Sequence, residues 1–269
     1  MNPFAWDAFA QGLGWTAVTA LAVMLATFAI ALVLGVHRVV DVAWGAAFAA
    51  VAVVSLAVSA GEGDGARRLL VTALTVVWGL RLAVHIARRG RGHGEDPRYE
   101  AMLGRAPGNR NLYALRMIYL LQGGLVWLVS LPVQAAQYAP RPLSALAWAG
   151  AALWLVGLFF EAVGDAQLAR FKADPAHRGR IMDQGLWRLT RHPNYFGDFC
   201  VWWGLFLIAG DGGWRAAAVS VVSPLVMSAL LIKGSGKRLL ERHMAGRPGW
   251  DAYAARTSSF FPWPPRRPR

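Results

Sequence analysis

The chain has 269 residues, 56% of them hydrophobic, with 13 Trp and only 16% charged residues. That balance excludes an ordinary soluble domain, and a mean hydropathy of +0.36 agrees. A net charge of +13 admits nucleic acid as a partner until the distribution of the charges is read.

Apolar runs predict seven transmembrane helices, at about 13–36, 39–60, 69–87, 115–136, 144–165, 195–210 and 216–233. Most approach the ~20 residues that cross a bilayer. The expected fold is an all-α, polytopic helical bundle forming one integral domain over 1–269. The first run is too long for a signal-peptide core and has no basic segment before it, so it reads as a retained span. Pro132 and Pro224 are expected kinks in the fourth and seventh spans. Cys200 is the single cysteine, which excludes an internal disulfide and reads as a packed thiol. The six scattered histidines show no ligand spacing, so no metal or haem centre is expected.

Orientation follows from the positive-inside rule. With the N-terminus outside, only Arg67, Arg68, Arg141 and Arg215 of the 28 Lys and Arg fall in outside loops, and Arg81 lies within a span. Topology then explains the basic excess without nucleic acid. The C-terminus is then expected on the cytoplasmic side of the membrane. Two inside loops, about 88–114 and 166–194, mix turn residues, aromatics and both charge signs and are expected to be ordered. The end, "FFPWPPRRPR", reads as an extended tail, its aromatics at the interface and its arginines facing anionic headgroups.

Ionisable residues within spans are functional candidates. Asp41 opens the second span. Trp78, Arg81 and His85 share one face of the third. Glu161, Asp165 and Lys172 share one face near the inner end of the fifth, and Asp198 begins the sixth. The two faces carry opposite charge, which fits either a structural Arg81–Glu161 or Arg81–Asp165 pair or a polar cavity open to the cytoplasm. "RLTRHPNYFGDFC" sets Arg188, Arg191 and His192 ahead of Pro193, at the start of the sixth span. A helix start with nearby arginines suits a phosphate or carboxylate. A basic juxtamembrane stop signal explains the same residues.

The stretch "EAVGDAQLARFKADPAHRGRIMDQGLWRLTRHPNYFGDFCVWWGLFL" resembles the C-terminal domain shared by steroid 5-alpha-reductases. With "DVAWGAAF", "WGLRLAVHIARRGRGHGEDPRY", "RMIYLLQGGLVWLVSLPV" and "RPGWDAYAARTSSFFPWPP", about residues 38–265 more closely resemble a bacterial membrane family of unknown function grouped with those reductases. The wider superfamily includes sterol carbon-14 reductases and isoprenylcysteine carboxyl methyltransferases. The resemblance implies a cofactor-binding portion over 160–265 and a lipophilic substrate. It matches Asp165, Lys172, Asn194 and Asp198 to cofactor ligands, Glu241 to a C-terminal polar ligand and Arg81 to a reductase arginine. The chain departs from the reductases in lacking their Gln–Glu pair, and Trp78 and His85 stand roughly where tyrosines are expected.

The implied activity is NADPH-dependent reduction of an activated carbon–carbon double bond in a lipid or steroid-like molecule. Asp41, Arg81 and His85 are the expected catalytic groups. Arg89, Glu161, Asp165, Lys172, Arg188, Arg191, His192, Asn194, Tyr195, Asp198 and Glu241 are the expected cofactor-binding groups. No Gly-rich dinucleotide fingerprint is present. The alternatives are an S-adenosylmethionine-dependent methyltransferase of the isoprenylcysteine type, with Glu161, Asp165 and Glu241 on the adenosine, and a non-enzymatic membrane protein.

Overall fold

The computed structural model describes residues 4–234 and 236–266. Arg267 and Arg269 of the expected tail lie outside the described residues. The described chain is helical, with no strand among its residues. It forms long helices α1 (Trp6–Leu34), α2 (Val39–Val58) and α3 (Gly65–Gly90), then short α4 (Pro97–Leu103) and α5 (Arg110–Ala114). A π-helical turn, Leu115–Leu120, leads into α6 (Leu121–Val129) and α7 (Leu131–Ala136). There follow α8 (Ala145–Ala173), α9 (Pro193–Asp211), α10 (Trp214–Ser220), α11 (Val222–Ile232), α12 (Lys237–Met244) and α13 (Trp250–Arg256).

Among the described residues, six stretches are long and apolar enough to cross a membrane: Trp6–Leu34, Val39–Val58, Gly65–Gly90, Arg110–Ala136, Ala145–Ala173 and Trp214–Met244. The chain is a polytopic helical bundle, with six such stretches rather than the seven expected. The difference is α9. It is a continuous helix of 19 residues, but its polar start, with Asn194, Tyr195 and Asp198, dilutes its hydropathy. Cys200, Val201, Trp202 and Leu205 on it are buried in protein. Both expected breaks coincide with proline. Pro132 sits in the first turn of α7, after the interruption at Ser130. Pro224 lies in the first turn of α11, after α10 ends at Ser220.

The chain divides into two compact units, Met1–Ala147 with Ile208–Ser223, and Trp148–Leu207 with Pro224–Arg269. In the first, α2 packs against α1 and α3. Gly45 and Gly79 make the α2–α3 approach possible: a Cβ on either would overlap the other's carbonyl oxygen. Arg67, assigned to an outside loop by charge counting, is fully buried in this unit. Its guanidinium pairs with Asp211 at 2.8 Å and donates to the carbonyls of Ile208, Arg141 and Pro142. It therefore joins α3 to the 141–144 loop and the end of α9, as a structural ion and not a solvated loop charge.

In the second unit, α8 and α9 meet along a glycine seam. A Cβ on Gly157 would come within 2.5 Å of the Gly197 oxygen, and one on Gly204 within 2.6 Å of the Gly150 oxygen. The segment expected as an extended tail, from Phe260 on, has no regular structure over 262–266 and docks together with the residues just before it. Ser258 bridges Thr190, Arg191 N–H donates to the Ser258 carbonyl, and Trp263 N–H donates to Leu189. Phe260 and Phe261 pack edge-on against Phe199 of α9.

Candidate functional site

In the first unit the 91–103 loop folds back over the head of α2. Asp96 before Pro97 starts α4, and its carboxylate accepts the Arg98 N–H. Glu95 accepts the backbone N–H groups of His37 (2.6 Å) and Arg38 (2.9 Å), which are otherwise unsatisfied at that helix start. With the loop anchored, α4 delivers two side chains to Asp41. Tyr99 O–H donates to Asp41 Oδ1 at 2.6 Å, and Arg98 donates to Asp41 Oδ2 at 3.0 Å. Gln122 Nε2 donates to the Tyr99 oxygen at 3.3 Å. Nearby, His37 Nδ1 lies 3.0 Å from the Tyr119 hydroxyl.

The electrostatics fix the protonation of this cluster. Burial, followed by the Asp41 charge, pushes the Tyr99 phenol up, so it stays an O–H donor. The Arg98 guanidinium is held charged, first by its hydrogen bond to Asp96. Burial works to raise Asp96, but the hydrogen bonds from Arg98 outweigh it and the carboxyl ends below its ordinary value. His37 is pushed down by burial, against the pull of Glu95. Of the other expected groups in this unit, Arg81 and His85 are half-buried on α3 and Arg89 is exposed near its end.

In the second unit, residues 187–192 form a short turn clamped by the C-terminal segment. Tyr253 O–H donates to the Trp187 carbonyl at 2.6 Å, and Thr190 Oγ1 donates to the Phe260 carbonyl at 2.8 Å. Arg191 is committed inward: Nε and Nη2 reach Glu241 at 3.0 Å, and Nη1 donates to the Ala254 carbonyl at 2.7 Å. His192 Nε2 lies 3.1 Å from the same Glu241 oxygen, and its ring stacks on Tyr195 at 5.3 Å. The His192 side chain is buried, and its Nδ1 has no hydrogen-bond partner among the described residues. Burial drives its pKa down to about 4, against the raising effect of Glu241. The ring is therefore neutral at pH 7, with Nε2–H donating to Glu241 and Nδ1 left as an acceptor. Glu161 and Asp165 are buried on α8. Asn194 and Asp198 are half-buried on α9, and Lys172 and Arg188 are exposed. The Asn194 Oδ1 accepts the Tyr195 N–H at 3.1 Å.

Residues 27–257 match the model of a family described as "Protein of unknown function (DUF1295)". The chain belongs to that family. No curated protein and no solved structure matches it. The DUF1295 match takes in both clusters, from Asp41 and Tyr99 to Glu241 and Tyr253. Sequence reading found Asp41 and most of the second cluster. It missed Tyr99, Arg98, Gln122, Thr190 and Tyr253. One signal was available: Asp-Pro in "GEDPRYEAM" marks a helix start, and a helix there carries Arg98 and Tyr99 together.

Proposed function

We propose that this DUF1295 protein is a membrane-embedded, NADPH-dependent reductase of an activated carbon–carbon double bond in a lipophilic substrate. The observation that carries the reading is the 2.6 Å hydrogen bond from the Tyr99 phenol to Asp41, whose second oxygen is held by Arg98. Reduction of such a bond needs a neutral donor aimed at the carbonyl oxygen, where charge develops. Burial keeps the Tyr99 proton on; that single proton is donated to Asp41 here and would serve the carbonyl oxygen once a bound substrate takes the hydrogen bond over from Asp41. Asp41 and Arg98 act through it, holding the ring and leaving the carboxylate already charge-compensated.

The second unit fits the cofactor's anionic groups. Arg188 is exposed and makes no ion pair among the described residues, and buried His192 Nδ1 is an unused acceptor for an amide or hydroxyl donor. Arg191 and Glu241 position that turn and hold His192. A nicotinamide cofactor held by these residues would supply the hydride that the β-carbon of the substrate takes. The α-carbon takes a proton, which we assign to half-buried His85. The methyltransferase alternative needs carboxylates for the adenosine, and Glu241, one of its three candidates, is occupied by Arg191 and His192.

The test is isotopic. The purified protein is incubated with 4-deuterated NADPH and an extract of membrane lipids. The reading requires a product carrying one cofactor deuterium and one solvent proton across a former double bond. Methylated lipid formed only with S-adenosylmethionine would replace this reading.

A further inference from the structure

A cavity of about 360 Å³ lies in the second unit at the C-terminal end of α8. Its walls include Gln167, Arg170, Phe171 and Asp174 from α8 and its end, with Met182 and Gln184 from the following loop. At 100° per residue, Arg170 lies roughly half a turn round α8 from Asp165 and Lys172. The cavity is therefore distinct from the face offered for the cofactor.

The loop wall is firmly built. Gln167 Oε1 accepts the Leu186 N–H at 3.0 Å. Gly185, at φ +57°, leaves no room for a Cβ against Gln167. Phe171 and His177 stack at 4.3 Å and form an apolar wall. The charges are less committed. Arg170 makes no ion pair or hydrogen bond among the described residues, and neither does the Gln184 carboxamide. Asp174 spends Oδ1 on the Ala176 N–H, and its Oδ2 lies 3.4 Å from His177 Nδ1. Asp174 lies just past the end of α8, in extended backbone at φ −85° and ψ 117°, four residues on from Arg170. Here they line one cavity without pairing.

We propose that this cavity binds a phosphoester carrying a primary ammonium group, the headgroup chemistry of an ethanolamine phospholipid. Arg170 takes the phosphate through its planar fork. Asp174 takes the ammonium, aided by the negative end of α8 and its last carbonyls, which favour a cation and disfavour a bare anion. Gln167 and Gln184 offer amide N–H groups to the ester oxygens, and the Phe171–His177 wall covers the two methylenes. Depth agrees with a lipid source. At 29 residues, α8 is roughly 43 Å long, beyond the ~30 Å hydrocarbon core, so its last turn reaches the headgroup layer.

The test uses the purified full-length protein, delipidated in detergent. Thermal unfolding is followed with phosphatidylethanolamine, phosphatidylcholine, phosphatidylglycerol, soluble phosphoethanolamine and AMP. Phosphatidylethanolamine is expected to raise Tm by several degrees, and the choline and glycerol lipids by less than half as much. Arg170→Gln should abolish the shift. Asp174→Asn, which keeps the Ala176 cap, should reduce it to the choline level. Displacement of the lipid by phosphoethanolamine supports headgroup recognition, whereas full stabilisation by phosphoethanolamine alone assigns the site to the soluble phosphoester. Equal or greater stabilisation by phosphatidylglycerol, or by AMP, overturns the proposal. Should either variant fail to elute as a single species, native mass spectrometry of the wild type decides, since retention of the ethanolamine lipid over the glycerol lipid is required.

Discussion

Tyr99 and His192 are the two side chains whose protonation the fold controls most clearly outside the spans, and it controls them in the same sense: both are kept neutral. Tyr99 is pushed up by burial and by Asp41, so it remains a donor as pH rises through the ordinary tyrosine range. Tyr99→Phe retains the ring and the Arg98–Asp41 contact and removes the donor. It should lower turnover by ~10²–10⁴ with little change in NADPH affinity, read as kcat against the cofactor Kd. For His192 the sign runs the other way. Its folded pKa, about 4, is below the unfolded value of 6.5. Its contribution to stability is complete above pH 6.5 and is lost as pH falls toward 4. The most it can amount to is roughly 3 kcal/mol. His192→Ala should flatten the pH dependence of Tm between pH 6.5 and 4; an unchanged slope would assign that dependence to other groups. Sequence reading could single out His192 by its place before Pro193, but not its neutral state. That state depends on burial by tertiary packing, which outweighs the opposing pull of Glu241, 49 residues away, and packing of that kind leaves no local pattern. Asp41 was legible as a charge opening a span, and its partners Arg98 and Tyr99, 57 and 58 residues on, were not.

At the level of elements, small residues determine how closely the helices approach. The α8–α9 seam puts Gly157 against Gly197 and Gly150 against Gly204, the two contacts seven residues apart along each helix. A methyl group at Gly157 would meet the Gly197 carbonyl oxygen and the Val201 nitrogen first, and backbone cannot yield as a flexible side chain does. Gly157→Ala should cost about 1–3 kcal/mol and appear as a lower Tm with retained helicity by circular dichroism. Apolar periodicity located the long helices well, because burial and lipid exposure both select apolar residues. It placed α9 as well, at 195–210 against Pro193–Asp211, although that helix's polar start lowers its hydropathy. The docking of the 257–266 segment was not legible for a different reason. Proline-rich chain has no period, and its hydrogen bonds to Leu189, Thr190 and Arg191 are set by tertiary docking.

Across the whole molecule, the charge balance first looked like a matter of topology alone. Arg67 modifies that reading. It is one of the four basic residues assigned outside, yet it is fully buried and ion-paired, so it reports packing rather than orientation. Arg67→Met would leave Asp211 buried without its charge partner and free three carbonyl acceptors. The expected loss is about 3–5 kcal/mol, measured as reduced thermal stability or failed extraction as a single species. Arg68→Met, the adjacent control, should cost much less. The proposed activity turns on the molecule's cofactor, and the most direct measurement is the shift in Tm of the purified protein with micromolar NADPH, set beside S-adenosylmethionine. A rise with NADPH that Arg188→Ala weakens is expected, and none with S-adenosylmethionine. Stabilisation by S-adenosylmethionine alone, or by neither, would contradict it.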